Sequence, residues 1–118
     1  METITPEQIF ALHPRIRWGG LATSRGQVIF SKMRPGVKSL TPEEDDRVLL
    51  ELRAQYITEI CNQTTRWAGP TEYVAMSHEK FIELITVLGE QYVVAVTVEK
   101  DVDLNTAADI AKRIQNLR

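Results

Sequence analysis

The chain has 118 residues, of which 43% are hydrophobic and 25% charged, and its net charge is −2. This length and composition predict one globular domain, residues 1–118, that can bury a core without disulfides. The single cysteine excludes an intrachain disulfide, and no apolar run approaches the roughly 20 residues of a membrane-spanning helix. Because the N-terminus also lacks a signal-peptide pattern, we expect a cytoplasmic protein that does not insert into membranes.

Charge is unevenly placed along the chain. The first 40 residues carry six Lys or Arg and two Asp or Glu, whereas residues 41–60 carry two and six. No run of basic residues marks a nucleic-acid site, so we expect no nucleic-acid partner. Four basic residues are candidates for a surface that contacts an anionic partner or ligand, although a simple solvated surface also explains them: Arg15, Arg17, Lys32 and Arg34.

The N-terminal third predicts a short helix followed by a β-hairpin. Thr5, Pro6 and Gln8 form a capping box with proline at the first helical position, and Pro14 ends the helix. Residues 15–23 and 27–33 have strand patterns joined by a turn at Gly26. Alternation along the first strand predicts four residues on one face: Ile16, Trp18, Gly20 and Ala22.

A long helix comes next. Thr41 to Glu44 repeats the capping-box pattern, and the helix should extend from Pro42 to at least Asn62. Its apolar stripe is broader than contact with one sheet requires, and comprises Val48, Leu49, Leu52, Tyr56, Ile57, Ile60 and Cys61. Trp67, near the end of this segment, either packs in the core or anchors a partner.

Three strands and a helix complete the chain. The strands are predicted at residues 72–77, 81–88 and 92–99; the last is apolar on both faces and should therefore be central. Asp103 is positioned to cap the final helix, whose predicted stripe is Leu104, Ala107, Ala111, Ile114 and Leu117. The fold class is α+β, a three-layer α-β-β-α-β-β-β-α sandwich. Its five-stranded antiparallel sheet has the long helix on one face and the terminal helices on the other.

This order of elements resembles the roadblock (dynein light chain) family within the profilin-like and longin-like group. The resemblance rests on the hairpin at residues 19–29, the acidic start of the long helix at Thr41, and the segment from Tyr92 to Asp101 leading into the last helix. Residues 14–20 and 33–37 also resemble an uncharacterised archaeal branch of roadblock-like proteins.

The resemblance implies a dimer with itself or a paralogue, in which long helices pack together and sheets join edge to edge. Such dimers serve as platforms for small GTPases, motors or trafficking complexes, so a small GTPase or scaffold protein is the implied partner. The long helix and the strand that follows Pro70, an expected edge strand, would form the interface. Its candidate residues are Leu49, Leu52, Tyr56, Ile60, Tyr73 and Met76.

Catalytic and cofactor patterns are missing from the sequence. His13 and His78 have no ligand at metal-binding spacing, Cys61 has no histidine placed near it, and no phosphate-binding glycine motif occurs. We therefore expect a non-enzyme without a cofactor. The alternative is a sensory domain that holds a small ligand between sheet and helix, near Trp18 and Tyr56. Internal volume would distinguish the two, because a sensor needs a cavity with polar groups.

Overall fold

The computed structural model describes residues 4–117, except that the side chains of residues 60–62 lie outside the description. The helices are α1 (Pro6–Phe10), α2 (Glu43–Ala68) and α3 (Leu104–Gln115), and the strands are β1 (Ile16–Thr23), β2 (Val28–Met33), β3 (Tyr73–Ser77), β4 (Phe81–Leu88) and β5 (Tyr92–Glu99). The predicted element order is thus confirmed, with boundaries shifted by one or two residues except at the end of α2, where the helix reaches Ala68.

One antiparallel sheet has the strand order β2-β1-β5-β4-β3. β5 is central, as its apolar sequence predicted, since its residues from Val93 to Val96 are all buried. β2 and β3 are the two edges. The α+β fold class is therefore confirmed, and β3 presents one side of its backbone without a strand partner.

Two apolar cores lie on opposite faces of the sheet. The larger includes Ile9 of α1, Val96 of β5 and Ile110 of α3. The smaller lies under α2 and joins Trp18, Leu50, Ala54, Ile57, Ile85, Val93 and Ala95. These two cores make the three-layer arrangement that the sequence predicted, with α2 alone on one face.

A β-bulge corrects the predicted alternation of β1. The register with β5 shifts between Ile16 and Trp18, so Arg17 is the extra residue of the strand. Ile16 consequently packs in the larger core and Trp18 in the smaller one, on opposite faces. The prediction that these two side chains share a face was wrong, whereas the burial of Trp18 at 7% exposure is confirmed.

The helix ends differ from the predictions in two places. The capping box of α1 at Thr5 and Gln8 is present, but α2 begins one residue later than its pattern predicted, with Pro42 as N-cap and no side-chain cap. Thr41 therefore lies outside capping range, and its hydroxyl donates to the Asp46 carboxylate instead. Asp103 caps α3 by accepting a hydrogen bond of 2.7 Å from the Thr106 amide. That backbone hydrogen bond, followed by the one to the Thr106 side chain, lowers the pKa of Asp103.

Candidate interaction surface

α2 has two apolar stripes, one buried against the sheet and the other exposed to solvent. The inner stripe, Leu50, Ala54 and Ile57, is at most 1% exposed and packs on the sheet. The outer stripe consists of Val48, Leu49, Leu52 and Tyr56, which are between 40% and 54% exposed. At 3.6 residues per turn the mean directions of the two stripes are about 150° apart, so the outer stripe does not face the sheet of its own chain. A contiguous apolar surface of this kind is typical of an interaction site.

The edge strand β3 contributes side chains to the sheet face that α2 covers. Val74 and Met76 point to the α2 face and are partly buried against the smaller core. Tyr73, which is three residues from Met76, points to the opposite face because side chains alternate along a strand. Met76 therefore lies on the sheet face covered by α2, the helix that carries Leu49, Leu52 and Tyr56. Tyr73 lies on the opposite face of the sheet. The side chain of the sixth candidate, Ile60, lies outside the described residues.

A partly buried ion pair connects α2 to β4, the neighbour of the edge strand. Arg53 of α2 donates from Nε to Oε2 of Glu83 at 2.9 Å, and His78 Nε2 lies 3.3 Å from the other carboxylate oxygen. Glu83 is only 8% exposed and is the β4 partner of Met76 in the ladder. The pair thus helps to set the position of α2, and with it the outer stripe, relative to β4 and its neighbour β3.

Sequence reasoning missed this ion pair. Arg53 and Glu83 are 30 positions apart, so no local spacing connects them. The available signal was a single carboxylate in the otherwise apolar β4 strand, because buried charges in proteins have partners. His78 is likewise not a lone exposed loop residue, since its ring also packs on Phe81 with centroids 5.1 Å apart.

A small cavity lies between the first turns of α2, residues 39–41 and the sheet. Its volume is about 60 Å³, and it opens to solvent. Its lining includes Trp18, Leu40, Leu49, Leu50, Arg53 and Thr97. Of the two aromatic residues that the sensory-domain alternative requires at a pocket, Trp18 lines this cavity, whereas Tyr56 belongs to the exposed outer stripe.

Three of the four candidate residues of the basic surface have partners inside the chain. Arg15 pairs with Asp101 at 2.7 Å, and Arg17 pairs with Glu99 at 3.0 Å. Arg34 donates to the backbone carbonyls of three residues at 2.6–2.8 Å: Phe10, His13 and Ile16. Lys32 is exposed on β2. Arg15 and Arg34 thus tie the segment between α1 and β1 to its surroundings, whereas Arg17 links β1 to Glu99 of β5 and to the Lys38 carbonyl.

Within the part of the chain that the structure describes, no group of three or more His, Cys, Asp or Glu side chains is arranged to hold a metal ion. Among the same residues, no helix has the length and apolar character needed to cross a membrane.

The five-stranded sheet, its strand order and its helices fit the roadblock and longin-like fold. No family model matches the sequence, and a search of curated proteins also finds no match. Solved structures do match. An MglB with tetrameric arrangement has a TM-score of 0.70 at 13% identity, covering 93% of this chain and 81% of the other.

Two further structures extend the same comparison. A Roadblock/LC7 domain from Streptomyces avermitilis has a TM-score of 0.69 at 13% identity, with 94% and 88% of the two chains covered. Myxococcus xanthus MglB has a TM-score of 0.68 at 14% identity, with 94% and 91% covered. The chain therefore has a roadblock-like fold, as its element order predicted. The resemblance to an archaeal branch stays a prediction.

Proposed function

We propose that this protein is a non-enzymatic, dimeric interaction module that offers a platform to a protein partner in the cytoplasm. The observation that carries the proposal is that the chain has both an exposed outer stripe on α2 and an unpaired edge at β3. A monomer would leave both features in water, where exposed apolar surface costs free energy and a free edge invites unwanted pairing.

A two-fold dimer covers both features at once. The outer stripe and the partly buried Val74 and Met76 belong to the same side of the sheet, so one symmetry axis beside β3 can place both against their equivalents. Pairing of two β3 strands would then join two five-stranded sheets, while the α2 helices pack side by side above them. The Arg53–Glu83 ion pair supports this arrangement because it links α2 to β4, the strand that pairs with β3.

The nature of the partner follows from the resemblance. Roadblock-like dimers serve as platforms for small GTPases and scaffold proteins, and we assign the same role to this chain. One similar structure is described as an MglB with tetrameric arrangement, which supports self-association as a property of this shape. A paralogue of the chain is the other possible subunit of the dimer.

The test is the subunit count of wild-type protein and two matched variants, by native mass spectrometry and sedimentation equilibrium. Leu52→Asp changes a 51% exposed leucine of the outer stripe, and Leu104→Asp changes an 81% exposed leucine of α3. Burial of a leucine contributes about 1.5–3 kcal/mol, so two half-exposed Leu52 side chains account for about 2 kcal/mol, or about 30-fold in Kd. A desolvated carboxylate weakens the dimer further.

We expect dimers for the wild type and Leu104→Asp, and monomers with an unchanged circular dichroism spectrum for Leu52→Asp. A dimeric Leu52→Asp variant would show that the interface does not include the outer stripe of α2. A monomeric wild type, with no paralogue added, would contradict the homodimer.

Two openings beside Trp18 bear on the sensory-domain alternative: the cavity under α2, of about 60 Å³, and an open depression of about 410 Å³ that Ser31 and Lys32 also line. The first is far below the roughly 300–1,000 Å³ of ligand pockets and the second is within that range, but Tyr56 lines neither of them, which favours the interaction module. The same mass spectra compare the two functions, because a retained small molecule would add mass to each subunit.

A further inference from the structure

Among the described residues, Trp67 is the most exposed aromatic side chain, at 79%. It lies in the last turn of α2, where the Arg66 guanidinium stacks 5.2 Å from the centre of its ring. The prediction that this tryptophan packs in the core is therefore wrong for the single chain. Tryptophan is the residue type most enriched at the energetic centre of protein interfaces, so its exposure indicates a contact with another molecule.

A matching apolar surface lies at the opposite end of the same helix. Leu40 and Leu49 are 51% and 40% exposed and border the cavity whose floor includes Trp18 and Leu50. This surface is apolar, concave and incompletely filled. Leu49 and Trp67 are 18 residues apart, which is five turns, so both lie on the same face of α2 at a separation of about 27 Å. Within one chain they cannot meet.

We propose that Trp67 of a second copy of this chain docks on Leu40 and Leu49 and closes the mouth of the cavity, with the reciprocal contact at the other end of α2. The proposal rests on the proposed dimer and adds the orientation and register of its helices. Each cavity is then completed by a residue that the other subunit supplies. The two-fold axis passes the outer face of α2 near Tyr56, about midway between Leu49 and Trp67, whereas Thr58 points away from it and donates to the Ser24 carbonyl of its own chain.

Charge agrees with the antiparallel direction that the two-fold axis of the proposed dimer gives to the two helices. The first turn of α2 carries four carboxylates, Glu43, Glu44, Asp45 and Asp46, and the last turn carries Arg66. A parallel pair would bring the two acidic turns together and leave Trp67 beside its own equivalent. An antiparallel pair instead places Arg66 next to the acidic turn of the other copy, and it also opposes the two helix dipoles. Arg66, which stacks on Trp67, therefore lies with the ring close to the acidic first turn of the other copy.

The first test is disulfide trapping in a Cys61→Ser background, which removes the only native cysteine. Leu49→Cys protein is mixed with Trp67→Cys protein and oxidised mildly, and the products are separated on a non-reducing gel. We expect a mixed disulfide between the two variants. The matched control mixes Leu104→Cys with Trp67→Cys. Leu104 is more exposed than Leu49, at 81% against 40%, but lies on α3, so we expect no rapid mixed product there.

The second test follows the exposure of Trp67 itself. Acrylamide quenching of fluorescence is compared between the wild type and the Leu52→Asp variant, with Trp67→Phe proteins measured in parallel to subtract the emission of Trp18. We expect the quenching constant of Trp67 to be severalfold lower in the dimer than in the monomeric variant. No change of fold is needed for this readout, because Trp67 makes no core contact in the single chain.

The outcomes separate this inference from the function on which it rests. A dimer in which Trp67 stays fully quenchable and does not trap Leu49→Cys overturns the register and leaves the dimer standing. Rapid Trp67→Cys self-trapping would show parallel helices and would also overturn it. A wild-type chain that is monomeric at all concentrations overturns both, and a trapped Leu49–Trp67 pair with a protected tryptophan supports both.

Discussion

Gly20 lies where β1 passes beneath α2, and replacing it with alanine should disturb the packing of that helix. A Cβ atom at Gly20 would lie 2.6 Å from Cδ2 of Leu50 and 2.7 and 2.8 Å from two ring atoms of Trp18. Both neighbours belong to the smaller core and are only 1% and 7% exposed. Both side chains also border the cavity of about 60 Å³, which can take up part of the displacement, while the rest must be absorbed by the closely packed core.

The expected loss of stability is moderate. Overpacking a core position typically costs about 1–3 kcal/mol. Replacing glycine also restricts the unfolded chain, which returns about 0.4–1 kcal/mol to the folded state. We therefore expect the free energy of unfolding to fall by about 1–2 kcal/mol for Gly20→Ala. Gly19→Ala is the matched control on the same strand, since its Cβ would meet only the Ile9 side chain, at 3.1 Å.

Urea unfolding followed by circular dichroism, at one fixed protomer concentration, measures both variants against the wild type. A fixed concentration is needed because self-association adds to apparent stability. The reasoning predicts a lower midpoint for Gly20→Ala than for Gly19→Ala. If Gly20→Ala proved as stable as Gly19→Ala or the wild type, the tight contact between β1, Trp18 and α2 would be refuted.

Two further predictions concern charged groups. Glu83→Gln should lower the free energy of unfolding by about 1–3 kcal/mol because it leaves Arg53 without its anionic partner. Arg15→Ala should lower it by less than about 1 kcal/mol because its ion pair is exposed. Equal shifts of the melting temperature in the two variants would contradict this difference. Asp103 has a lowered pKa, so it stabilises the fold above its ordinary pKa of 3.8 and this stabilisation is lost as the pH falls below that value. The stability difference between wild type and Asp103→Ala should therefore narrow on acidification, and a gap that widened below pH 3.8 would reverse the sign of the argument.

Local patterns in the sequence predicted much of the architecture. The valines and alanine of β5 indicated the central strand, and the capping residues Thr5 and Asp103 marked two helix starts. The unusual width of the stripe on α2 indicated a surface beyond the sheet contact, and Leu52 and Tyr56 are indeed exposed. Such features depend on neighbours within one or two turns, which a sequence displays directly.

Features that depend on tertiary contact were not predictable in this way. Leu104 matched the helical period of α3 but is 81% exposed, while Ile110, left out of the predicted stripe, is fully buried. Periodicity places residues around a helix, and only the docked orientation decides which of them meet the sheet. The Arg53–Glu83 pair and the place of Tyr73 on the face opposite Met76 depend likewise on contacts between distant elements.

The extra residue in β1 has a consequence for how the chain tolerates change. The strand contributes Ile16 to one core and Trp18 to the other because the bulge at Arg17 shifts the alternation of its side chains by one residue. Removing this one residue would not merely shorten a strand. It would send either the isoleucine or the tryptophan to the wrong layer, with the preceding segment and its helix α1 rotated or displaced accordingly. Single-residue deletions should thus be far more damaging here than in the exposed turn at Arg25, although both sites lie within ten residues of each other.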